Sequence, residues 1–492
     1  MKRYISILLC TLSATAMVSC ADWFDISPKT DVKASQLFES EAGFQSALTG
    51  LYVKMTDNAV YGKAYTMGFM ERLVQHYDNV SDANKVNIYT YDVSNSAGAK
   101  GTQADLWIGM YKVIANANNL LKWLDLNGER VLPDESTRNR MRGEALAVRA
   151  MLHFDLLRGW GPMYRSDSLS QAIPYRLVID GSRQPRLPAN KVVSLVIDDL
   201  KAAEQLLSYQ EDTKLSGIAN QNNRYHFTIH SVRGLMARVM NYRNDKEGAC
   251  YYAHLAIDGS NLTLANDQTL LEDPAMFCET LFGLNYYDMS NQMNEWTESS
   301  PESAHQYILR SNLEQLYANA NDARYRANLG FLHFMDVSPA KAITRKYVRN
   351  QNLIPMIRLA EMYYILCEAS PLEEADRWLT IVNEQRGLNP SGQFGSDELR
   401  IEALDAEYNK EFYGEGQYFH FLKLHERTTF LNCPLEFGMS KAQYVFPLPD
   451  DEVEYGWIEG MDDDSEDSDE SDDSEDSDDR TDNGDGEEED AE

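Results

Sequence analysis

The stretch Glu144-Ala-Leu-Ala-Val-Arg-Ala-Met-Leu-His-Phe-Asp155 decides the fold class of this chain of 492 residues. Its apolar positions follow the period of one helix face, with the spacing Leu146, Ala150, Phe154 and Leu157. Gly159-Trp-Gly-Pro162 then supplies residues that end a helix. The pattern predicts an amphipathic helix with a defined end, which needs other helices to cover its apolar face.

The same period returns later in pairs of helices. One pair is predicted over Ile229–Val239 and Ala249–Ala256, ending near Gly259, with Asn244-Asp245 as the turn between the two helices. A second pair covers Ile357–Ala369 and Leu372–Val382, and Ser396 is expected to cap a further helix. The recurrence predicts a mainly α fold of tetratricopeptide-like helix pairs, although no fixed repeat period is visible.

Three stretches between the helices lack helical periodicity and are rich in Asn, Asp, Ser, Gly and Tyr. They span 57–104, 161–188 and 260–355. Such lengths exceed what a simple connection needs. Long loops on a rigid scaffold are where ligands are usually bound, so these stretches are the first places to look for a site.

The N-terminus has the layout of an export signal. Met1-Lys-Arg precedes an apolar run from Tyr4 to Val18, which is too short to span a bilayer and is followed by Ser19 and Cys20. The layout resembles that of a bacterial lipoprotein, which predicts a signal peptide over 1–19, palmitate-type acylation of Cys20 and a lipidated tether over 20–35. Ordinary secretion with an incidental cysteine is the alternative.

The net charge of −33 is concentrated at the C-terminus, where residues 461–492 contain 20 Asp and Glu against one Arg. This segment has almost nothing apolar to bury and is predicted to be a disordered acidic tail. It either extends into solvent or gathers divalent cations loosely. Because no basic stripe is present in the sequence, nucleic acid is not expected as a partner.

Aromatic and polar residues alternate in two of the irregular stretches. Such clusters suit sugars or peptides, because rings stack on apolar faces while carboxylates and amides bind polar edges. The candidate stacking residues are Trp296, Tyr286, Tyr287, Tyr89 and Tyr91. The candidate hydrogen-bonding residues are Asp78, Asp82 and Asn285. The alternative is that these side chains only pack the loops.

Signals for metal binding and catalysis are weak. Asp78, Asp82 and Asn84, or Asp288 and Asn291, could bind calcium, but neither set has the EF-hand spacing. Helical geometry places the charged residues Arg358, Glu361 and Glu368 on one helix face as an ion-paired structural cluster. The chain lacks GxSxG, HExxH and P-loop patterns, so we expect no cofactor and no enzymatic activity.

The cysteines beyond the leader and Cys20 are few and widely spaced, at Cys250, Cys278, Cys367 and Cys433. Their even number in an exported chain allows disulfide bonds. Their spacing and apolar surroundings favour free, buried thiols instead.

Several blocks in order resemble the SusD/RagB lipoproteins of Bacteroidetes, over about residues 20–456. They are Phe24–Pro28, Phe44–Tyr52, Trp107–Tyr111, Ile114–Asn119, Glu144–Asp155, Trp160-Gly161, Ile357–Tyr363, Glu368-Ala369, Val382–Gly387, Glu411–Gly416 and Tyr444–Pro449. The chain departs from the family pattern at Glu407–Glu411, which lacks the usual arginine pair, and at His420, where Asp is common. The acidic tail is no part of that pattern.

The resemblance implies a SusD-like α-helical domain over 36–460 with long irregular loops. It further implies a lipid-anchored protein of the outer membrane that faces the cell surface and acts as a lid on a SusC-like TonB-dependent β-barrel transporter. Such a lid captures a glycan and delivers it for uptake. A peptide-binding lid and a surface scaffold that docks another protein are the alternatives.

Overall fold

Helices form most of the chain in the computed structural model, which describes residues 34–79, 83–93, 96–180, 182–209, 215, 218–292, 306–348 and 352–456. The predicted leader, most of the tether and the whole acidic tail lie outside these ranges. The helices of the first half are α1 Ala34–Leu37, α2 Glu41–Met55, α3 Phe69–Leu73, α4 Ala83–Tyr89, α5 Ala97–Trp123, α6 Glu135–Trp160 and α7 Ala189–Leu207.

The second half continues the helical architecture with shorter elements between the long ones. Its helices are α8 Ile229–Tyr242, α9 Lys246–Ser260, α10 Asp267–Glu272, α11 Met289–Gln292, α12 Arg310–Leu316, α13 Leu359–Ala369, α14 Leu372–Gln385, α15 Asp397–Glu411, α16 Tyr418–Leu424, α17 Lys441–Tyr444 and α18 Asp450–Tyr455. Helix α5 continues through a π-helical turn, Leu124–Gly128, into Glu129–Val131. Two 3₁₀-helices cover Ile218–Tyr225 and Phe277–Glu279.

The sequence-predicted helix pairs are present, and polar side chains fix where their helices begin. Thr228 and Ser231 cap each other at the start of α8. Asp245 accepts a hydrogen bond from the backbone N–H of Gly248 at the start of α9, and Ser396 accepts one from Leu399 at the start of α15. Each cap satisfies a backbone donor that the first helical turn leaves unpaired.

The long helices pack side by side in the order of the chain. Helix α6 lies between α5 and α7, α8 packs against α9, and α13 contacts both α9 and α14. Residues 144–155 of α6 are therefore covered on nearly all sides. Arg149 in this part is buried and donates to both carboxylate oxygens of Asp199 at 2.7 and 2.8 Å.

Short strands occupy the irregular stretches, as Gln171–Ile173 (β1), Leu187–Pro188 (β2), Thr280–Asn285 (β3), Ile308–Leu309 (β4), Phe331–Phe334 (β5), Lys341–Thr344 (β6) and Leu353–Arg358 (β7). All pairs are antiparallel: β1 with β2, β3 with β7, and β6 between β4 and β5. In the β3–β7 pair, Leu284 lies opposite Ile354.

Two predicted boundaries were wrong. The stretch 57–104 contains α3, α4 and the first turns of α5, whose opening residues Ala97-Gly-Ala-Lys-Gly101 carry little apolar periodicity. The helix predicted from Ile357 begins at Leu359, because Ile357 and Arg358 end strand β7. Strand pairing, which local periodicity does not report, sets the start of α13, whereas α5 starts at a local cap in which the Ser96 hydroxyl accepts the N–H of Ala99 at 3.2 Å.

Buried contacts join the two halves of the chain. The carboxylate of Glu71 accepts hydrogen bonds from the backbone N–H groups of Gly414 and Gly416, at 2.7 and 2.6 Å. Both glycines have positive φ, and a Cβ on Gly416 would lie 2.4 Å from the carbonyl oxygen of Tyr65. Only glycine fits this approach, so the loop after α15 is locked onto α3.

The four cysteines of the described chain are free thiols, as favoured by their spacing. Cys367 is buried within α13, whereas the other three are only partly buried. Burial raises the pKa of the Cys367 thiol to about 12, so it behaves as a small apolar side chain.

Candidate functional site

A turn after β3 presents part of the predicted ligand-binding residues. We call Asn285–Gln292 the loop platform. Strand pairing continues into it, because the backbone N–H of Tyr286 donates to the carbonyl of Asn352 at 2.7 Å. The Tyr286 hydroxyl lies 2.8 Å from Oδ1 of Asn58 and 3.2 Å from Oε1 of Gln292. Tyr286 is thus buried, and its ring anchors the turn.

The next residue, Tyr287, points the other way. Its side chain is 81% exposed, while its backbone carbonyl accepts a hydrogen bond from Gln292 at 3.0 Å. Met289 donates its N–H to Oδ1 of Asn352, and Asp288 adopts a positive φ of 56°. An exposed ring on a backbone fixed from both sides loses little conformational entropy when it stacks on a ligand. Asn285 is also exposed, at the start of the platform.

Asp78 ties two loops together. Its Oδ2 accepts the backbone N–H of Leu309 at 2.5 Å, and its Oδ1 accepts the side-chain amide of Asn312 at 2.7 Å. Its own N–H donates to the carbonyl of Tyr307 at 2.9 Å. Burial raises the pKa of Asp78 despite these hydrogen bonds. Its carboxylate oxygens therefore both have partners within the chain.

The two tyrosines near the end of α4 differ in environment. Tyr91 packs against the hydrophobic core, donates its hydroxyl to the carbonyl of Leu73, and has a pKa raised well above the ordinary value by burial. Tyr89 is partly exposed, and its carbonyl accepts a hydrogen bond from Gln75 at 2.9 Å. Of the two rings, only that of Tyr89 is placed to reach a ligand without rearrangement of the core.

The remaining predicted residues Asp82, Trp296 and Cys20 lie outside the described residues. The structure brings Asn285, Tyr286 and Tyr287 together on the loop platform, and connects Asp78 with the loop that carries β4. Which of these side chains meet at one ligand stays a prediction.

Side chains that could form a calcium site are engaged with each other where the structure describes them. Oδ1 of Asp288 accepts a hydrogen bond from the amide of Asn291 at 2.8 Å. Among the described residues, no group of three or more His, Cys, Asp or Glu side chains is arranged to hold a metal ion.

The ion-paired role predicted for Arg358, Glu361 and Glu368 is correct, but the predicted partners were wrong. Glu361 pairs with Arg238, at 2.5 and 2.6 Å. Glu368 accepts from Arg165 at 2.7 Å; burial would raise its pKa, but His425 and Arg165 hold the pKa below its ordinary value. Because Arg358 ends a strand, it does not share a helix face with the two glutamates.

Arg358 belongs to a larger buried set that sequence reasoning missed. We call it the arginine–carboxylate cluster, and its members are Arg324, Lys346, Arg358, Arg386, Glu279, Asp322, Glu411 and Glu415. Glu411 lies at its centre and accepts from Arg358 and Arg386 at 2.7 Å each and from Arg324 at 2.8 Å. Each of these carboxylates is ion-paired with a basic side chain of the cluster, which makes the cluster structural.

A second surface feature is a groove that contains none of the predicted ligand-binding residues. We call it the α5 groove, a cavity of about 490 Å³ between helix α5, the loop 174–184 and the end of helix α18. Trp107 and Tyr111 line its α5 side, and Tyr455 lines its α18 side. In the sequence, Trp107–Tyr111 stands out only as one of the blocks that resemble the family. The groove itself could not be predicted, because no local pattern indicates that residues 174–184 lie next to this block.

Hydrogen bonds hold the wall of the α5 groove in place. Tyr111 donates its hydroxyl to the carbonyl of Pro174 at 2.8 Å, and Asn118 donates to the carbonyl of Arg176 at 3.0 Å. Beneath the wall, Nε2 of His153 accepts the backbone N–H of Arg176 at 3.0 Å, and its Nδ1 lies 2.9 Å from the carbonyl of Arg149. These contacts require a neutral imidazole with its proton on Nδ1, and burial lowers the pKa of His153 to about 3.

Across the part of the chain that the structure describes, no helix combines the length and the apolar character that crossing a bilayer requires.

Comparison with known proteins identifies related chains. Residues 22–239 match a SusD-like family model described as starch-binding and associating with the outer membrane. SusD-like protein P25 of Formosa agariphila is 25% identical over 212 residues, which cover 40% of this chain and 37% of that protein. SusD-like protein P38 of the same organism is 24% identical over 256 residues, covering 51% and 45%. The chain thus spans less than half the length of these curated relatives.

The fold extends further than the sequence match. A SusD superfamily protein from Bacteroides fragilis superimposes with a TM-score of 0.69 at 20% identity, covering 85% of this chain and 99% of that one. A SusD-like carbohydrate binding protein from Bacteroides vulgatus gives 0.68 at 18% identity, covering 84% and 96%. The predicted resemblance to SusD-like proteins and the predicted mainly helical fold are confirmed.

Proposed function

We propose that this chain, SusD-like in sequence over its N-terminal half and in fold over most of its length, is a carbohydrate-binding accessory protein of the outer membrane. The family description supports association with that membrane and with starch, and one structural relative carries a carbohydrate-binding description. In finer terms, the chain is anchored through acylated Cys20 at the cell surface. It acts there as a lid that passes a glycan to a SusC-like TonB-dependent transporter.

The observation that carries the proposal is the exposed ring of Tyr287 on the loop platform. Pyranose rings present apolar C–H faces that stack on aromatic side chains, while their hydroxyl groups need hydrogen-bonding partners. Tyr287 offers the ring, and the exposed amide of Asn285, two residues before it, offers both donor and acceptor atoms. Tyr89, together with Asp82 and Trp296 outside the described residues, stays a predicted ligand contact.

Weak capture suits a lid better than tight capture. A ligand that must move on into a transporter has to dissociate readily, and affinity differences arise mostly in the dissociation rate. One or two stacking rings and a few exposed amides provide such modest affinity. The alternatives are a peptide ligand for the same lid, or a scaffold that binds only a protein.

Calorimetric titration of the purified chain in mild detergent tests the proposal. The probes are a soluble α-glucan, a β-glucan, a xylan, a mannan and a mixture of short peptides. We expect heat of binding with one of the glycans, and we expect Tyr287→Ala to weaken that binding by about tenfold, or about 1.4 kcal/mol.

Tyr251→Ala is the matched control, because the Tyr251 ring is 58% exposed but lies on helix α9, packed edge-on against Tyr252. It should leave the affinity unchanged. Binding of the peptides alone would favour the peptide-binding lid, and the absence of any heat with all probes would favour the scaffold. Equal loss in both variants would remove Tyr287 from the site.

A further inference from the structure

The α5 groove exposes an aliphatic cluster that the proposed function does not use. Val178 and Ile179 on its loop wall are 55% and 44% exposed, and Ile108 on the opposite wall is also exposed. Exposed aliphatic side chains that face each other across a groove indicate a surface that binds something apolar. The cost of leaving such a surface in water falls when a segment covers it.

Basic residues surround this aliphatic cluster. Lys112 is exposed on helix α5, and Arg176 and Arg183 lie on the loop wall. Asp180 also lines the groove, and Arg176 pairs with it at 3.5 Å. One carboxylate enters the groove from α18, where burial raises the pKa of Glu452 and nearby Arg186 and Arg176 oppose that rise. The groove therefore suits an occupant that is apolar where it meets the aliphatic cluster and acidic where it passes the basic rim.

The chain itself supplies such a sequence at the right place. Its described part ends at Gly456, which lines the groove together with Tyr455. The next residues are Trp457-Ile-Glu-Gly-Met461, followed directly by Asp462-Asp-Asp464. Eight residues extend up to about 26 Å, which is ample for reaching across a cavity of about 490 Å³.

We propose that segment 457–464 binds intramolecularly in the α5 groove. Trp457 and Ile458 cover the aliphatic cluster, and Asp462–Asp464 lie against the basic rim. Because the segment is tethered at Gly456, its effective concentration at the groove is in the millimolar range, and weak contacts suffice to hold it. The acidic tail from Ser465 onward then starts at the rim of this groove.

Hydrogen–deuterium exchange of the full-length chain tests the proposal. We expect the amides of 457–461 to exchange at least tenfold more slowly than those of residues 465–492, which are the unprotected reference within the same molecule. The double variant Val178→Asp/Ile179→Asp should return 457–461 to the rate of the tail, because two carboxylates would replace the aliphatic wall and repel the acidic segment.

Leu399→Asp is the matched control, since Leu399 is an exposed aliphatic residue of helix α15 away from the groove. It should leave the protection intact, and unchanged exchange in α5 would verify that the groove variants fold. Unprotected amides at 457–461 in the wild type, or protection that survives the double variant, would overturn the proposal. Protection that grows with protein concentration would do so too, because it would assign the groove to a second copy.

Discussion

The arginine–carboxylate cluster and the loop platform use polar residues in opposite ways. In the cluster, charged side chains such as Arg358 and Glu411 are buried and satisfy each other. In the platform, the hydrogen bonds are made by backbone groups and by Tyr286, while Tyr287 is left exposed. The polar groups of the cluster bind one another inside the protein. The platform, in contrast, leaves the Tyr287 side chain exposed and able to contact a ligand.

The difference shows how a scaffold and a binding surface can be told apart on physical grounds. A buried charge must have all its partners within the chain, because desolvation is too costly otherwise. A ligand-binding residue, in contrast, needs a side chain that is exposed and a backbone that hydrogen bonds fix in place. Asp78, which looked like a ligand contact in the sequence, belongs by this criterion with the scaffold.

The largest effect is expected from breaking the cluster. Burial would raise the pKa of Glu411, but Arg386, Arg358 and Arg324 hold the pKa well below its ordinary value. Glu411→Gln removes the central negative charge and leaves these arginines unbalanced in the interior. We expect a loss of about 3–5 kcal/mol in the free energy of unfolding, measured by urea denaturation.

The matched control is Glu314→Gln, which breaks the surface pair with Arg310. Its expected cost is below about 0.5 kcal/mol. If the two variants cost the same, the cluster would not be the stabilising centre that its burial implies.

The next largest effect is expected from protonating His153, which accepts the backbone N–H of Arg176 beneath the wall of the α5 groove. The folded pKa of His153 is about 3, whereas an unfolded histidine has a pKa of about 6.5. The folded state therefore binds the proton more weakly, so the contribution of His153 to stability is complete above pH 6.5 and decreases as the pH falls toward 3. At pH 5 the loss is about 2 kcal/mol.

His153→Gln should flatten this part of the stability profile, measured by denaturation between pH 7 and pH 4.5. His254→Gln on helix α9 serves as control, since His254 is only partly buried and stacks edge-on against Trp378. An unchanged slope in His153→Gln would mean that the imidazole does not need to be neutral beneath the groove wall.

The smallest effect is expected at Asp78, which ties the chain after α3 to the loop that carries β4. Asp78→Ala removes the acceptor for Leu309 and Asn312 and should cost about 1–2 kcal/mol. Faster hydrogen exchange of the amides of 306–312 is the measurement. Asp336→Ala, at an exposed position, should change stability by less than about 0.5 kcal/mol. Lost glycan binding without faster exchange would return Asp78 to the ligand site.

Much of the scaffold could be predicted from the sequence, because helix formation depends on local periodicity and capping. The pair formed by α8 and α9 and the start of α15 at Ser396 follow directly from apolar spacing and cap residues. The start of α13 could not be predicted in this way. Arg358 belongs to strand β7 because it pairs with strand β3, more than 70 residues earlier in the chain.

The site was less predictable, since its residues differ in orientation rather than in type. Tyr286 and Tyr287 are adjacent and identical, yet one is buried against Asn58 and the other is exposed. The partners of Arg358, at Glu279, Glu411 and Glu415, likewise lie far away in the sequence. Charge spacing within one helix could not identify them.

The locking of the loop after α15 onto α3 has a consequence for handling the protein. The family match ends at residue 239, which invites expression of that part as a separate domain. Within it, the carboxylate of Glu71 and the indole N–H of Trp160 take their partners from Gly414, Gly416 and Pro447. A fragment cut at 239 would carry exposed core surface and unpaired buried groups, so the boundary of the match is a boundary of detectable ancestry and no boundary of folding.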